Sequence, residues 1–357
     1  MTAVAAAVGP ITLLRWAPMS FQGFDETSRA AEAALSGAIR QPKTRTVAWA
    51  KRRLYALQYN GARRYFAARP GAVAACWNGL NGTRFAFMEG ARDAGAARLF
   101  FELAPLPGSL TVDPCGVNDA NALPRDSAPY RRWWTGAGAP PPVKPGFRQR
   151  PRRQGAAAPT APPPADEDFL FAPLQLANDS QLRLFGGAFR SVPSFVDALG
   201  QAAAALPDKW HLRVKEHPSS TESLAARIRA AAPGKLYLDN ETDTFALVEA
   251  AAAVVTVNSS VGLQAMFYGK PVLVAGDCFW SLPGIATPTR DPEALTAAFS
   301  SPDALSFDPE SRAAFLAYLT TTYYIKVSSV AGGAVQLIDG EDRKILARLD
   351  PSWPGLD

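Results

Sequence analysis

The chain has 357 residues, of which 48% are hydrophobic and 19% charged, and its formal net charge is +5 at pH 7. This composition is typical of a soluble globular protein with room for two domains, and no apolar run is long enough to be a membrane-spanning helix. Three scattered cysteines without CxxC spacing and only two histidines favour a reducing cytoplasm and disfavour a metal centre.

Strands and helices alternate in the first part of the chain. The start, Met1–Leu14, has neither a basic leader nor a clear cleavage site, so we expect no secretory signal. The predicted strands are Ile11–Trp16, Thr46–Ala48, Ala72–Trp77 and Arg98–Glu102. The predicted helices are Glu26–Ile39, Lys51–Ala68 and Thr83–Ala94. A glycine-rich turn, Asn78–Gly82, follows the third strand.

The same alternation returns in the second part of the chain. Its predicted strands are Phe169–Leu176, His211–Lys215, Lys235–Leu238, Val254–Val257 and Pro271–Ala275. Its predicted helices are Val192–Ala205, Leu224–Ala232, Asp243–Ala250, Val261–Tyr268, Pro288–Phe299, Ser311–Leu319 and Asp339–Leu349. Between the two parts, 136–168 is rich in proline, alanine and arginine and cannot bury enough apolar surface to fold.

This order of elements predicts an α/β protein with parallel sheets covered by helices on both faces. We predict an N-terminal domain at 1–135, a linker or insertion at 136–168 and a second domain at 169–330. The remaining segment, 331–357, contains a C-terminal helix that we expect to return to the N-terminal domain. Ligands of such sheets bind beyond the carboxyl ends of the strands, so the residues that follow each strand are the candidates for a site.

Two serines, Ser259 and Ser260, begin the helix that follows the strand Val254–Val257. Free amide groups and the positive end of the helix dipole meet there, which suits a phosphate or a carboxylate. The two hydroxyls have an equally good explanation as helix caps. His217, after the strand His211–Lys215, is held in an extended conformation by Pro218 and is a second candidate phosphate ligand, although a surface-loop histidine fits as well.

Two carboxylates, Glu102 and Asp179, each end an apolar strand, one in each half of the chain. A pair of carboxylates facing across a cleft is what glycosyl transfer requires, one as nucleophile and one as general acid or base. Asp113 and Asn118 are expected to fix the turn that follows Glu102 instead. Basic clusters such as Lys51–Arg53 suit an anionic partner, although a solvated basic surface is a strong alternative.

Four segments together resemble the bacterial capsule polysaccharide biosynthesis/export family, which includes β-Kdo glycosyltransferases. They are FFELAPLPGSLTVDPCGVN (100–118), APLQLANDSQ (172–181), VKEHPSS (214–220) and VTVNSSVGLQAMFYGKPVLVAGDCFW (255–280). The resemblance implies a GT-B-like fold, two Rossmann-type domains with a cleft between them. It also implies CMP-Kdo as the donor, no cofactor or metal, and retention of the β configuration.

The resemblance also implies roles for individual residues. Asp179 is the implied nucleophile that forms a covalent Kdo adduct, and Glu102 is the implied general acid/base for the acceptor hydroxyl. His217, Ser259 and Ser260 are implied to hold the CMP phosphate. We add Lys215 as a further phosphate contact of our own choosing. Two amide residues of the quoted segments complete the substrate-binding candidates, Gln175 and Asn258.

The predicted function is therefore a retaining, metal-independent β-Kdo transferase acting on a lipid-linked or oligosaccharide acceptor at the cytoplasmic face. Its basic helix and linker arginines would contact anionic lipid. The alternatives are another CMP-sugar transferase, such as a sialyltransferase-like enzyme, and a non-catalytic protein that binds or exports polysaccharide. A nucleic-acid partner is not expected, because the basic residues lack interleaved aromatic platforms.

Overall fold

The chain forms two compact units, described here from a computed structural model of residues 1–149, 151, 164, 166–221, 223–329 and 335–356. Unit 1 comprises Met1–Ala104, Gly108–Leu123 and Tyr318–Asp357, and unit 2 comprises Pro105–Pro107 and Pro124–Ala317. Of the predicted linker 136–168, the positions 150, 152–163 and 165 lie outside the described residues. Among the described residues, none of the helices combines the length and the apolar content needed to span a membrane.

The helices are short except for α3 and are spread along the whole chain. In chain order they are α1 Thr2–Ala5, α2 Thr27–Ser36, α3 Arg45–Ala67, α4 Gly82–Asp93, α5 Ala128–Ala137, α6 Ser180–Phe185, α7 Val192–Ala203, α8 Ala225–Ala231, α9 Thr244–Ala250, α10 Ser260–Met266, α11 Pro292–Phe299, α12 Pro309–Tyr318 and α13 Glu341–Ala347. The strands are β1 Ala74–Trp77, β2 Arg98–Leu103, β3 Ser109–Asp113, β4 Asp168–Pro173, β5 Trp210–Lys215, β6 Leu236–Leu238, β7 Ala253–Thr256, β8 Val272–Val274, β9 Thr287–Pro288, β10 Ile325–Ser329 and β11 Val335–Leu337.

The sheet of unit 2 is parallel throughout, as predicted. Its strands lie in the order β6-β5-β4-β7-β8-β9, and every neighbouring pair is parallel. Counted from β4, this is the order 3-2-1-4-5-6 of the Rossmann fold. The β-branched and apolar strand residues are buried in one core with the helices, as a sheet covered on both faces requires. The carboxyl ends of β4 and β7 therefore meet at the switch point of the sheet.

The sheet of unit 1 is mixed, which corrects the prediction of a second fully parallel sheet. Its order is β1-β2-β3-β10-β11, and among its pairs only β1 and β2 run parallel. The segment 104–108 between β2 and β3 is too short for the crossover that parallel neighbours need, so the two strands pair antiparallel. The α/β class is confirmed, and the Rossmann-type parallel sheet is confined to unit 2.

Two predicted strands near the N-terminus are wrong. Thr46–Ala48 lies inside α3, which begins earlier because the hydroxyl of Thr44 accepts a hydrogen bond from the Val47 amide at 3.3 Å. Ile11–Trp16 forms no strand, and its large side chains are exposed. The large apolar side chains of this segment therefore lie on the surface of the protein and not in its core.

Candidate functional site

The loops after β4, β5 and β7 carry the predicted site residues of unit 2. Gln175 and Asp179 follow β4, His217 follows β5 and Asn258 follows β7. These three strands are neighbours in the order β5-β4-β7, so their loops lie side by side at one edge of the sheet. Ligands of open α/β sheets bind at this place, where the strand order reverses.

Gln175 and Asn258 form a bridge across the switch point. Gln175 Nε2 donates to Asn258 Oδ1 at 2.9 Å, and the backbone N–H of Asn258 donates back to Gln175 Oε1 at 3.3 Å. Both side chains are buried, where an unpaired amide group would be costly. The pair therefore fixes the distance between the β4 and β7 loops.

Asp179 lies at the N-terminal end of α6, and both of its carboxylate oxygens accept hydrogen bonds. Oδ1 accepts from the Gln181 amide at 2.9 Å, and Oδ2 accepts from Gln175 Nε2 at 3.3 Å. The side chain is half-buried. Its orientation is set by the helix on one side and by the Gln175–Asn258 bridge on the other.

The side-chain amide of Asn258 also holds α6 in place. Its Nδ2 lies within hydrogen-bonding distance of the carbonyl oxygens of Gln181 and Phe185, both at 3.2 Å, and of Asp277 at 3.3 Å. One buried side chain thus joins the β7 loop, the short helix that Asp179 begins and the loop after β8. The sequence identified Asn258 as a binding candidate, and the structure adds this positioning role.

The loop after β5 directs the ring of His217 by a local hydrogen bond. The Ser219 amide donates to His217 Nδ1 at 3.1 Å, so the neutral ring carries its proton on Nε2. His217 and Gln175 both line a cavity of about 40 Å³, together with the first residues of α7, Val192 and Pro193. A donor on Nε2 suits an anionic ligand.

Glu216, which the sequence did not single out, anchors this loop. Its Oε1 accepts from the Leu224 amide at 2.5 Å and from Ser223 Oγ at 3.1 Å, which satisfies the start of α8. Its Oε2 accepts from Asn240 Nδ2 at 2.9 Å, and the Glu216 amide donates to Asn240 Oδ1 at 3.0 Å. The acidic residue beside His-Pro in the segment VKEHPSS was the available signal for this role.

Lys215 is buried, and its ammonium group is turned toward the loop after β6. Nζ donates to the carbonyl oxygens of Asn240 at 2.8 Å and of Thr242 at 2.5 Å. These contacts give Lys215 a structural role between the ends of β5 and β6. The phosphate contact that we assigned to it from sequence stays a prediction.

The two serines after β7 differ in their surroundings. Ser259 is the N-cap of α10, and its hydroxyl accepts from the Val261 amide at 3.3 Å, which agrees with the capping explanation. The Ser259 amide donates to Thr256 Oγ1 at 3.0 Å. Ser260 occupies the first helical position and is exposed. Phosphate binding by either serine stays a prediction.

Glu102 belongs to unit 1, near the end of β2. Its Oε2 accepts from Asn78 Nδ2 at 3.0 Å, and its Oε1 accepts from the Leu103 amide at 3.0 Å. Asn78 directly follows β1, the parallel neighbour of β2. The glycine-rich turn and the predicted general acid/base are therefore joined by one hydrogen bond.

Asp113 has a structural role, as the sequence suggested, but the turn that it fixes follows β3 and is not the one that directly follows Glu102. It is fully buried and accepts from the Cys115 amide at 2.8 Å, the Gly116 amide at 3.1 Å and the Tyr323 hydroxyl at 3.1 Å. Burial raises the pKa of Asp113, although the hydrogen bonds that its carboxylate accepts act to lower that pKa. The side chain fixes the turn after β3 and ties it to the C-terminal segment.

The profile of the family described as "Capsule polysaccharide biosynthesis protein" matches residues 147–328, just over half of the chain. The protein belongs to the capsule polysaccharide biosynthesis family. This confirms the resemblance that the four sequence segments carry. The matched range contains all the candidate residues of unit 2, whereas Glu102 precedes it.

Several proteins resemble this family member over large parts of its length. Protein FixF of Sinorhizobium fredii is 31% identical over 258 residues, which are 72% of this chain and 61% of FixF. The capsule polysaccharide modification protein LipB of Neisseria meningitidis is 27% identical over 46% of this chain and 38% of LipB. The chain thus spans less than two thirds of either relative. Among solved structures, the β-Kdo 2,7 transferase KpsC of Thermosulfurimonas dismutans has a TM-score of 0.49 at 13% identity, over 81% of this chain and 89% of that chain.

Proposed function

We propose that this member of the capsule polysaccharide biosynthesis family is a retaining glycosyltransferase that uses CMP-Kdo as its donor. The observation that carries the proposal is the oriented carboxylate of Asp179 at the switch point of a Rossmann-type sheet. A half-buried carboxylate held by two hydrogen bonds has the preorganisation that a nucleophile needs.

In the first step, a carboxylate oxygen of Asp179 attacks the anomeric carbon of Kdo as the bond to the CMP phosphate breaks. The electron pair of that bond leaves with CMP, and a covalent Kdo ester remains on Asp179. The anomeric carbon is fully substituted, so the transition state has oxocarbenium character, which a nearby carboxylate stabilises. His217 Nε2 and the residues at the start of α10 are proposed to meet the charge that grows on the phosphate. These groups supply the stabilisation without a divalent ion.

In the second step, an acceptor hydroxyl attacks the same carbon, and the bond to Asp179 breaks. Glu102 is proposed to take the hydroxyl proton, a role that rests on the family resemblance. Two inversions at one carbon restore the β configuration. The acceptor is proposed to be a glycan, free or lipid-linked, in surface polysaccharide synthesis.

The N-terminal half of α3 supports a peripheral contact with anionic membrane at the cytoplasmic face. Trp49 is 58% exposed, and the Arg53 guanidinium lies 5.7 Å from the centre of its ring. Val47 and Leu54 are exposed on the same helix, which also carries Lys51 and Arg52. Exposed aromatic and basic residues on one helix are typical of attachment to the lipid interface.

The proposal is tested by mixing the purified protein with CMP-Kdo and measuring CMP release and the intact mass. We expect CMP to appear and a mass increase of one Kdo, located on the peptide that contains Asp179. An equal reaction with CMP-sialic acid would point to the alternative CMP-sugar transferase. If neither donor reacts and CMP does not raise the melting temperature, the protein is not a CMP-sugar transferase.

A further inference from the structure

A basic cavity of unit 1 has no part in the proposed reaction. It lies at the start of α4, where the glycine-rich turn ends, and its volume is about 210 Å³. A single water needs only about 10–15 Å³, so the cavity has room for a larger ligand. The residues that matter here are Arg40, Lys51, Tyr55, Gly82 and Arg84, all of which line it.

The amide groups at the start of α4 have no side-chain cap. The N-cap residue is Asn81, but its side chain makes no hydrogen bond to the helix. Its Nδ2 instead donates to Asn78 Oδ1 at 3.2 Å, within the glycine-rich turn. The first amides of this 12-residue helix, from Gly82 onward, therefore face the cavity without the acceptor that a cap would provide.

Three cationic side chains line the cavity: Arg40, Lys51 and Arg84. Within the described part of the chain, none of them forms an ion pair with a carboxylate, and no acidic residue lines the cavity. Lys51 Nζ donates to the Arg40 carbonyl oxygen, and Arg84 donates to the Trp77 carbonyl oxygen at 3.3 Å. Each cation keeps further donors beyond these bonds.

Tyr55, a buried side chain, places its hydroxyl at the same point. The residue is only 6% exposed, and its hydroxyl oxygen lies 3.3 Å from the position that a Cβ atom on Gly82 would occupy. Among the described residues, this hydroxyl has no hydrogen-bond partner. Burial raises the pKa of Tyr55, so the hydroxyl stays protonated and can donate. A side chain this deeply buried that presents an unpartnered hydroxyl to a cavity is suited to bind a ligand there.

We propose that this cavity binds a phosphate group. Its oxygens would accept hydrogen bonds from the first amides of α4 and from the Tyr55 hydroxyl, while Lys51 and Arg84 neutralise its charge. Glycine at position 82 fits this purpose, because its φ of +53° disfavours other residues and a Cβ would narrow the approach. The phosphate comes either from a small molecule or from the headgroup of an anionic lipid. The proposal does not depend on the CMP site of unit 2.

The test uses the full chain with saturating CMP, so that any phosphate site in unit 2 is occupied. Inorganic phosphate is titrated by calorimetry at constant ionic strength, and co-sedimentation is measured with phosphatidylglycerol and phosphatidylcholine vesicles. The variants are Tyr55→Phe and the double variant Lys51→Gln/Arg84→Gln. Arg53→Gln is the matched control for the phosphate titration, since Arg53 lies on the same helix as Lys51 but does not line the cavity. In the vesicle assay Tyr55→Phe is the deciding variant, because Tyr55 is not part of the exposed surface proposed to contact the membrane.

We expect the double variant to weaken phosphate binding by about tenfold or more and Tyr55→Phe by a few-fold, with Arg53→Gln unchanged in this titration. Vesicle binding that Tyr55→Phe weakens, without binding of free phosphate, supports the site and identifies the lipid headgroup as the source. Equal phosphate binding by all variants, equal loss of phosphate binding in Arg53→Gln, vesicle binding that Tyr55→Phe leaves unchanged in the absence of phosphate binding, or no binding in either assay overturns the proposal. If circular dichroism finds the double variant unfolded, Tyr55→Phe decides, because it removes only the hydroxyl.

Discussion

Asn78 donates from Nδ2 to Glu102 Oε2 at 3.0 Å, which links the turn after β1 to the carboxylate near the end of β2. The two strands are parallel neighbours, with Trp77 paired to Phe101, so the residues that follow this pair lie side by side. Asn78 adopts φ of +62° and accepts from the Leu80 amide at 3.2 Å. The turn therefore presents a donor to Glu102 and at the same time leads into α4.

The first prediction concerns the proposed general acid/base. Glu102→Gln should leave the first step intact, because CMP is a good leaving group that needs no proton, but should slow transfer to the acceptor by ~10²-fold or more. The covalent adduct on Asp179 should therefore accumulate. Intact mass spectrometry after mixing with CMP-Kdo and acceptor measures this. Normal turnover without accumulation would contradict the assignment of Glu102.

The second prediction concerns the nucleophile. Asp179→Asn should lower kcat by ~10³-fold or more, because an amide oxygen is a poor nucleophile. The fold should remain, since asparagine caps a helix as well as aspartate does and can accept from the Gln181 amide. The measurements are the rate of Kdo transfer and the melting temperature. An active variant with unchanged kcat would show that Asp179 only caps α6.

The third prediction separates ligand binding by His217 from its role in the loop. In His217→Asn, the side-chain oxygen can still accept from the Ser219 amide, but the donor on Nε2 is lost. We expect the Kd for CMP to rise by about tenfold, the effect of losing one hydrogen bond to a charged group. Calorimetric titration with CMP measures it. If the Kd for CMP equals that of the unaltered protein, His217 only stabilises the turn of its loop and does not bind the phosphate.

The fourth prediction concerns the bridge at the switch point. Gln175→Leu leaves the backbone N–H and the side-chain Oδ1 of Asn258 buried without their partner. This should lower the free energy of unfolding of unit 2 by about 1–3 kcal/mol. It should also lower kcat, because Asp179 loses one of its two hydrogen bonds. Urea unfolding and transfer rates measure the two effects. Asn178→Ala, an exposed neighbour, is the matched control and should change neither.

The fifth prediction is a loss of stability in mild acid. Burial, together with the nearby Arg213, lowers the pKa of His211 to about 4. Between this value and about 6.5, the unfolded chain binds a proton that the folded chain does not, so stability is full above pH 6.5 and falls as the pH drops. From pH 7.5 to pH 5 the loss should be about 2 kcal/mol. In His211→Gln, urea unfolding should be less sensitive to pH over this range, and an unchanged pH dependence would contradict the assignment.

The sequence predicted unit 2 well because its strands are continuous apolar runs separated by helices. Such runs are typical of a parallel sheet buried on both faces, and the residues after each run then lie at the ligand-binding edge. Asp179 and His217 were chosen as candidates in this way, whereas Asn258 was taken from the segments that carry the family resemblance. The alternation itself carries the prediction, because it fixes both the order of elements and the edge where the loops meet.

Unit 1 was predicted less well for reasons that lie in its connections. Strands β3 and β10 pair antiparallel although they are distant in the chain, and no local sequence pattern predicts such a pairing. The helical start of α3 was missed because the β-branched and aromatic residues near Val47 are exposed and were read as a strand. Glu216 could have been noted from its place beside His-Pro, but its partner Asn240 could not be predicted, since reciprocal hydrogen bonds between loops depend on tertiary structure.

The return of Tyr318–Asp357 to unit 1 has a consequence for how the chain is synthesised. Strand β10 completes the sheet beside β3, and the buried Arg348 side chain donates to the Val112 carbonyl oxygen at 2.9 Å. Of the two units, unit 1 is therefore the one whose synthesis begins earlier, and yet it can finish folding only after every residue of unit 2 has been made. Loss of the segment from Tyr318 onward would leave Asp113 without Tyr323 and so damage unit 1, most of which precedes unit 2 in the chain.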